Sequence, residues 1–257
     1  MLNVNERAAR PAEDRCVRFE AAYNFRDLGG YRCNDGRRLR WRRLYRSGAL
    51  QWMTQGDAHK AREVLGVRSV IDLRNSEEVQ RDGCAPFLQH PVRYFHVPIL
   101  DGERRASQQA QERPDFDMSR LYLRMLRDGA NDFARAVRMV VAHAHEPIVF
   151  HCAAGKDRTG LLAAILLGAF GVSDDDIIDD YALTSRHLDP IIERMRSTPG
   201  YAEIVGDLPA DIFSSRPEAM ARTLEGVRAR WGSMRDYLAS IGLDEAELAG
   251  IEESVLE

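Results

Sequence analysis

The residues with the clearest chemical potential occupy ten consecutive positions, His-Cys-Ala-Ala-Gly-Lys-Asp-Arg-Thr-Gly at 151–160. Five residues separate Cys152 from Arg158, and the stretch lies between a β-prone run at 147–150 and a strongly apolar helical run at 161–170. A strand-to-helix loop of this kind can direct its backbone N–H groups at an anion, and the helix adds its positive N-terminal end. The spacing therefore predicts a cradle for a phosphoryl group with a thiol at its base.

This cradle has the parts needed for nucleophilic phosphoryl transfer. A free thiol has a pKa of about 8.5, which helix ends and cations lower, so we expect Cys152 to react as a thiolate. Its attack on phosphorus would form a phosphocysteine intermediate that water then hydrolyses. Arg158 can fork two hydrogen bonds onto phosphate oxygens. We expect the phosphate to be bound by Ala153, Ala154, Gly155, Lys156, Asp157 and Arg158.

Two residues that flank the cradle are predicted to support it. His151 immediately precedes the thiol, and we interpret it as a buried residue that orients the loop rather than as a base. Thr159 follows the arginine, and its hydroxyl could donate a hydrogen bond to the sulfur.

The leaving group needs a proton and the attacking water needs a base, and two carboxylates could serve. Asp157 lies inside the cradle, and Asp72 follows the apolar core of a predicted strand at 67–73. Either could be structural instead: Asp157 could pair with a neighbouring cation, and Asp72 could fix the cradle or Arg74. An acid from the region 100–130 is a third option.

The surrounding elements predict an α/β fold with a central, mostly parallel sheet flanked by helices. Strands are expected at 39–45, 67–73, 92–97 and 147–151, and apolar residues at helical spacing predict a helix over 133–141. Ligands of open α/β sheets bind at the carboxyl ends of the strands, where the cradle and Asp72 would meet.

We expect one phosphatase-like domain over 1–257, with a polar, lid-like helical insertion at about 100–130 and a helical part at about 173–257. Long polar excursions near a site are often lids. Two charged features stay open. Arg26 and Asp27 could form a local ion pair or support the loop, and the arginines of 36–46 could form a solvated face or meet an acidic substrate or anionic lipid.

The composition limits the classes of function. The 257 residues carry a net charge of −4, whereas a global nucleic-acid binder is usually basic, so we expect no nucleic-acid partner. The four cysteines and seven histidines show no zinc-binding spacing, so we expect no zinc site, and no motif in the sequence calls for a cofactor. Residues 1–15 are polar and 161–172 are too short to span a bilayer, so a cytoplasmic location is the default. Secretion without a cleavable signal stays open, as does the oligomeric state.

The loop at 151–160 resembles the signature of cysteine-dependent protein tyrosine and dual-specificity phosphatases. More narrowly, it is similar to the bacterial group typified by mycobacterial protein tyrosine phosphatase B, whose loop reads His-Cys-x-x-Gly-Lys-Asp-Arg-Thr-Gly. The resemblance extends to the segments 24–31, 44–50, 72–74 and 180–184, and so to nearly the whole chain.

The resemblance implies an α/β phosphatase fold, a metal-free mechanism, a nucleophile at Cys152 and a helical lid. It also implies phosphotyrosine in proteins as the favoured substrate, with phosphoserine or phosphothreonine in addition. Gly-Lys inside the loop is similar to phosphoinositide phosphatases, so a phosphoinositide is the alternative substrate, with Lys156 contacting an extra phosphate. A phospho-ligand binding module with a weak site is the competing non-enzymatic hypothesis, which the intact Cys152, Asp157 and Arg158 disfavour.

Overall fold

A computed structural model describes residues 15–86, 91–101, 117–198 and 210–257. Its sheet has five strands in the order β1-β2-β5-β3-β4, of which β1 is antiparallel to β2 and the other pairs are parallel. The strands are β1 Arg26–Asp27, β2 Leu44–Ser47, β3 Ser69–Asp72, β4 Arg93–His96 and β5 Ile148–His151. The predicted mostly parallel α/β fold is confirmed.

Helices connect and cover these strands. In chain order they are α1 Gln55–His59, which continues through Lys60–Val64 as a wider turn, α2 Ser76–Asp82, α3 Met118–Asp128, α4 Ala130–His143, α5 Asp157–Ala169, α6 Asp174–Ala182, α7 Leu188–Arg196, α8 Pro217–Trp231, α9 Met234–Ser240 and α10 Glu245–Val255. Short 3₁₀ turns occupy Leu183–His187 and Ala210–Phe213. None of the helices within the described ranges is long and apolar enough to cross a bilayer.

Alternate residues of the central strands pack on opposite faces of the sheet, as the pleat requires. On β5, Ile148 and Phe150 join a large apolar cluster that includes residues of α3, α4, α5 and the C-terminal helices. Val149 faces a smaller cluster that includes residues of α1. Helix α5 is buried on nearly every side, as its almost continuous apolar sequence predicts. The cradle is therefore attached to a fully buried strand and an almost fully buried helix.

The strand predicted at 39–45 is displaced toward the carboxyl end. Residues 41–43 form a turn in which Arg42 has a φ of 61°, and the strand then runs over Leu44–Ser47. The carboxylate of Asp27 stabilises this turn by accepting a hydrogen bond from the Arg42 amide at 2.7 Å. The shift places the buried Arg46 on the strand, although its charge made it a poor candidate for a central strand from sequence.

The region expected to form a lid, 100–130, has two parts. Residues 102–116 lie outside the described residues, so the lid prediction there stays a prediction. Residues 118–128 form α3, and they do not belong to a polar excursion, because Tyr122 and Leu126 are fully buried in the main core. The helix expected in this second part is present, and its role as a lid stays a prediction.

Candidate active site

The loop between β5 and α5 places a thiol below the start of a helix. Cys152 follows the last residue of the central strand and is only 2% exposed. The loop reaches α5 at Asp157, and no described side chain caps the first turn of that helix. The N–H groups of the turn and the positive end of the helix dipole are therefore available to an anion next to Cys152.

Three consecutive carbonyls of this loop are turned outward. Each accepts a hydrogen bond from a group outside the loop: Ala153 O from Ala49 N at 2.9 Å, Ala154 O from Asn24 Nδ2 at 3.0 Å, and Gly155 O from Arg46 Nη2 at 2.7 Å. Across a trans peptide bond the C=O and the following N–H point in opposite directions. The amides that follow these carbonyls are therefore directed into the loop, which makes a concavity for an anion.

Gly155 allows the loop to lie this close to β2. Its φ of 68° is in the left-handed region that favours glycine. A Cβ at this position would also lie 2.5 Å from the carbonyl oxygen of Ser47. Any side chain here would push the loop away from the strand.

A buried ionic network holds the loop from behind. Asp180 on α6 accepts a hydrogen bond from Arg26 Nε at 2.9 Å and pairs with Arg46 as well. Burial raises the pKa of Asp180, but the two guanidinium groups outweigh it and bring the pKa down to about 2. Arg26 also binds the side chain of Asn24, so Asn24 and Arg46, whose side chains hold two of the three loop carbonyls, share one network.

Arg26 and Asp27 were expected either to form a local ion pair or to support the loop, and the structure gives them separate roles. Arg26 belongs to the network behind the loop and does not pair with Asp27. Asp27 instead fixes the neighbouring turns by accepting hydrogen bonds from the amides of Gly29, at 2.8 Å, and Arg42.

Arg158 is held by a residue that the sequence analysis missed. Glu78 forms two hydrogen bonds with it, from Nη1 to Oε2 at 2.5 Å and from Nη2 to Oε1 at 3.0 Å. Burial raises the pKa of Glu78, but the Arg158 charge outweighs it and lowers the pKa to about 2. Glu78 also accepts a hydrogen bond from the amide of Asn75. The capping box Asn75-x-x-Glu78, directly after a predicted strand end, was the available signal.

Asp72 lies at the carboxyl end of β3, as predicted, but it is a structural anion there. Its side chain is fully buried and accepts hydrogen bonds from Arg74 Nη2 at 2.6 Å and Tyr94 OH at 2.9 Å. Burial raises the pKa of Asp72, but its hydrogen bonds and ion pair with Arg74 act in the opposite direction, and the pKa stays well below its usual range. An inaccessible carboxylate that stays ionised is a poor proton donor. The geometry fits the alternative in which Asp72 fixes Arg74.

His151 is likewise buried and stays neutral. Burial lowers its pKa to about 4, although the nearby Asp72 acts in the opposite direction. Its Nδ1 lies 3.3 Å from the carbonyl oxygen of Cys152, and its Nε2 lies 3.5 Å from Asp72. These contacts fit a residue that orients the start of the loop.

Asp157 is the accessible carboxylate of the loop, with 30% of its side chain exposed. Its Oδ1 accepts a hydrogen bond from the hydroxyl of Tyr122 on α3 at 2.7 Å and lies 3.3 Å from Lys156 Nζ. Sequence reasoning missed Tyr122, because it assigned that segment to the lid.

The side chains of Lys156 and Thr159, two further predicted site residues, differ in their partners. Lys156 Nζ donates to the carbonyl oxygens of Ile212, at 2.5 Å, and Ser214, at 3.1 Å, so its ammonium is directed at the segment before α8 rather than at the centre of the cradle. The buried hydroxyl of Thr159 has no hydrogen-bond partner among the described residues, so the expected bond to the Cys152 sulfur is wrong.

Most of the arginine-rich stretch 36–46 forms a solvated face. Arg37, for example, pairs with Asp35 at 2.6 Å and with Glu252 at 2.7 Å, and its side chain is 44% exposed. Arg46 is the exception, since it is buried behind the loop, where burial and the charge of Arg26 lower its pKa to about 10.

The strand, loop and helix around Cys152 form an anion cradle with a thiol at its base, and the sequence comparisons identify the family of the chain. The chain belongs to the tyrosine phosphatase family, which it matches over residues 17–257. A relative from Cupriavidus necator is 30% identical over 244 residues, which cover 90% of this chain and 86% of the relative.

Two further relatives have names that specify phosphatases. A tyrosine-protein phosphatase from Nostoc commune is 28% identical over 79% of this chain and 70% of its own. The triple specificity protein phosphatase PtpB of Mycobacterium tuberculosis is 27% identical over 88% of this chain and 93% of its own. The core catalytic domain of the PP-IP phosphatase Siw14 from S. cerevisiae aligns with 65% of this chain and 78% of its own at 20% identity. Its TM-score of 0.38 is too low to support conclusions about the site.

Proposed function

We propose that the protein hydrolyses phosphomonoesters in two steps at Cys152. In the first step the thiolate attacks phosphorus, the S–P bond forms, the bond to the leaving oxygen breaks, and Asp157 gives that oxygen its proton. In the second step Asp157 takes a proton from water, which attacks phosphorus and releases inorganic phosphate and the thiolate. The ester and one water are consumed, the alcohol or phenol and inorganic phosphate are released, and the enzyme returns to its starting state.

The outward turn of three loop carbonyls beside Cys152 is the observation that carries this proposal. It directs the following amides inward, and because the carbonyls are fixed by groups outside the loop, the cradle is organised for the charge of the transferred phosphoryl group. Arg158 adds a guanidinium that Glu78 holds in place. Because these donors are fixed in advance, they require little reorganisation as the charge moves during the reaction.

Asp157 is the better acid of the two candidates. It lies in the loop itself and is partly exposed, so a leaving group in the cradle can reach it. Asp72 is fully buried and committed to Arg74. The same carboxyl can serve in both steps, because it is left ionised after the first and protonated after the second.

Phosphotyrosine in proteins is the substrate that we favour, with phosphoserine and phosphothreonine as slower substrates. Cys152 is 2% exposed, so a phosphoryl group reaches it only at the end of a slender stem, and the tyrosine ring is longer than a serine or threonine side chain. The name of the Nostoc commune relative, a tyrosine-protein phosphatase, supports this choice. The phosphoinositide alternative relied on Lys156, whose ammonium is bound by two carbonyls.

Replacement of the nucleophile tests the proposal. We expect Cys152→Ser to lose at least about a thousandfold in kcat with p-nitrophenyl phosphate and phosphotyrosyl peptides, since a serine hydroxyl is hardly ionised at neutral pH. Cys33→Ser is the matched control. Cys33 is also buried, but it lies between β1 and β2, where it pairs with Val172 outside the cradle. Turnover that persists in Cys152→Ser, or that disappears when a chelator is added to the wild type, would refute the mechanism.

The identity of the acid is tested by pH–rate profiles. We expect Asp157→Asn to lose the high-pH limb of kcat, which reports a protonated acid, and Asp72→Asn to keep it. The profile is measured with p-nitrophenyl phosphate and with phenyl phosphate, because the poorer leaving group depends more on its proton. Retention of the limb in Asp157→Asn would reject this residue, and loss only in Asp72→Asn would reverse the assignment.

A further inference from the structure

We infer that Tyr122 is a positioning residue that decides which oxygen of Asp157 handles the proton. The inference rests on the proposed function, in which Asp157 is the acid. Tyr122 is completely buried on α3, whereas Asp157 begins α5, so the contact between them is a tertiary contact between two core helices.

Both partners of the Asp157 carboxylate bind the same oxygen. Tyr122 OH donates to Oδ1 at 2.7 Å, and Lys156 Nζ lies 3.3 Å from the same atom. Among the residues that the structure describes, no group bonds Oδ2, although the side chain is 30% exposed. Oδ2 is therefore the oxygen that can carry the proton toward a leaving group.

The directions of the hydrogen bonds follow from the number of protons. Tyr122 has a single hydroxyl proton and gives it to Asp157, so Tyr181, whose oxygen is 2.8 Å away, must donate to Tyr122. The result is a chain of two donors that ends at Oδ1, and each bond of such a chain polarises the next. A proton on Oδ1 would reverse the chain and leave the buried Tyr181 hydroxyl with no acceptor among the described residues, which disfavours that arrangement.

The two tyrosines keep their protons throughout the working range of pH. Burial, followed by the charge of Asp157, raises the pKa of Tyr122 well above its usual value, and the same two causes raise that of Tyr181. The other charged groups here are Lys156 on the loop and Arg46 on β2, which acts on Tyr181. Oδ1 therefore receives a donor in every protonation state, and a proton on the carboxyl is left to Oδ2.

The packing makes this arrangement rigid. The rings of Tyr122 and Tyr181 meet edge to face, with centroids 5.9 Å apart, and both side chains lie in the main apolar core. A buried ring fixed in this way holds its hydroxyl in one place, so the plane of the Asp157 carboxyl is fixed with it.

Removal of the Tyr122 hydroxyl should change the pH profile in a defined direction. A donor at Oδ1 stabilises the carboxylate more than the carboxylic acid, so its loss favours the protonated form. We expect Tyr122→Phe to move the high-pH limb of kcat upward by about one pH unit, which corresponds to one charge-assisted hydrogen bond. The plateau of kcat should fall by about tenfold, because the carboxyl is no longer oriented, while KM changes little.

Tyr237→Phe is the matched control. Tyr237 is also fully buried, and its hydroxyl donates to the carbonyl oxygen of Leu126 on the same helix, α3, at 2.8 Å. Its replacement should cost similar stability but leave the limb where it is in the wild type. Tyr181→Phe, which removes only the second donor, should move the limb in the same direction as Tyr122→Phe by a smaller amount.

The outcomes separate this inference from the proposed function. If Asp157→Asn keeps the high-pH limb, the proposed acid is wrong. If Asp157→Asn loses the high-pH limb, the proposed acid is supported. If the limb of Tyr122→Phe and that of Tyr181→Phe then both stay at the wild-type pH, the positioning role is wrong. If Tyr122→Phe does not fold, the shift in Tyr181→Phe decides. An equal shift in Tyr237→Phe would assign the effect to general loosening of the core and overturn the inference.

Discussion

Glu78 is the residue whose role is least apparent from its position in the sequence. It is buried, forms two hydrogen bonds with Arg158 and closes the capping box of α2. A charge pair of this geometry holds the plane of the guanidinium, so Glu78 controls the orientation of a group that we propose binds phosphate.

We expect Glu78→Gln to weaken the binding of phosphate and of the transition state together. With a neutral partner the guanidinium loses its fixed orientation, so kcat/KM should fall roughly tenfold to a hundredfold, as loss of a charged hydrogen bond predicts. Steady-state kinetics and the inhibition constant of inorganic phosphate measure the effect. Glu63→Gln is the control, because Glu63 pairs with Arg62 at an exposed site and should be silent. Unchanged phosphate inhibition in Glu78→Gln would contradict the positioning role.

At the scale of the elements, the loop is held by the end of a sheet and one helix. β1 contributes Arg26, β2 contributes Arg46, and α6 contributes Asp180, which pairs with both. Bringing an anion and two cations into the core costs desolvation free energy. Loss of one partner is nevertheless strongly destabilising, because it leaves a buried charge unpaired. The arrangement explains why segments that are far apart in sequence, at 24–31, 44–50 and 180–184, are all parts of one motif.

Helix α3 likewise brings a residue from a distant part of the sequence to the loop. It follows the polar residues 102–116 in sequence, yet its apolar face packs into the main core and brings Tyr122 to Asp157. Its alternation of arginines with leucine, methionine and tyrosine is that of a helix with one solvated and one buried face.

For the whole molecule, buried carboxylates predict how stability depends on pH. The pKa values of Asp180 and Glu78 fall to about 2 in the folded state, below their ordinary values in an unfolded chain. Their contribution is therefore fully present above about pH 4.5 and is lost as the pH falls through about 2. The contribution of Asp27 to stability changes with pH in the opposite direction. Burial raises its pKa to about 6, so its contribution is present below about pH 4 and is lost as the pH rises through 6.

We expect the free energy of unfolding to fall steeply between about pH 4.5 and pH 2, because the unfolded chain binds more protons in that range. Urea titrations at a series of pH values measure it. Glu78→Gln, which removes one of the depressed carboxyls, should flatten the acid side of the curve by about 2 kcal/mol or more. A wild-type stability that is constant over this range would show that these carboxyls are not held as the structure indicates.

The sequence by itself determined the chemistry of the loop and the class of fold. The thiol, the arginine separated from it by five residues, and the strand and helix around them are local in sequence, and local spacing is what a sequence displays directly. The parallel strands were likewise visible as short apolar runs, since a buried strand requires them on both faces.

Only the tertiary structure decided which charged groups serve the loop and which merely support the fold. Asp72 and Asp157 were equivalent as carboxylates, and their different burial and partners separate them. Tyr122 lies 35 residues from Asp157 in the sequence, Glu78 lies 80 residues from Arg158, and Asp180 lies 134 residues from Arg46, yet each pair is in contact. The physical reason is that hydrogen bonds and burial depend on distance in space, which the order of residues along the chain does not specify.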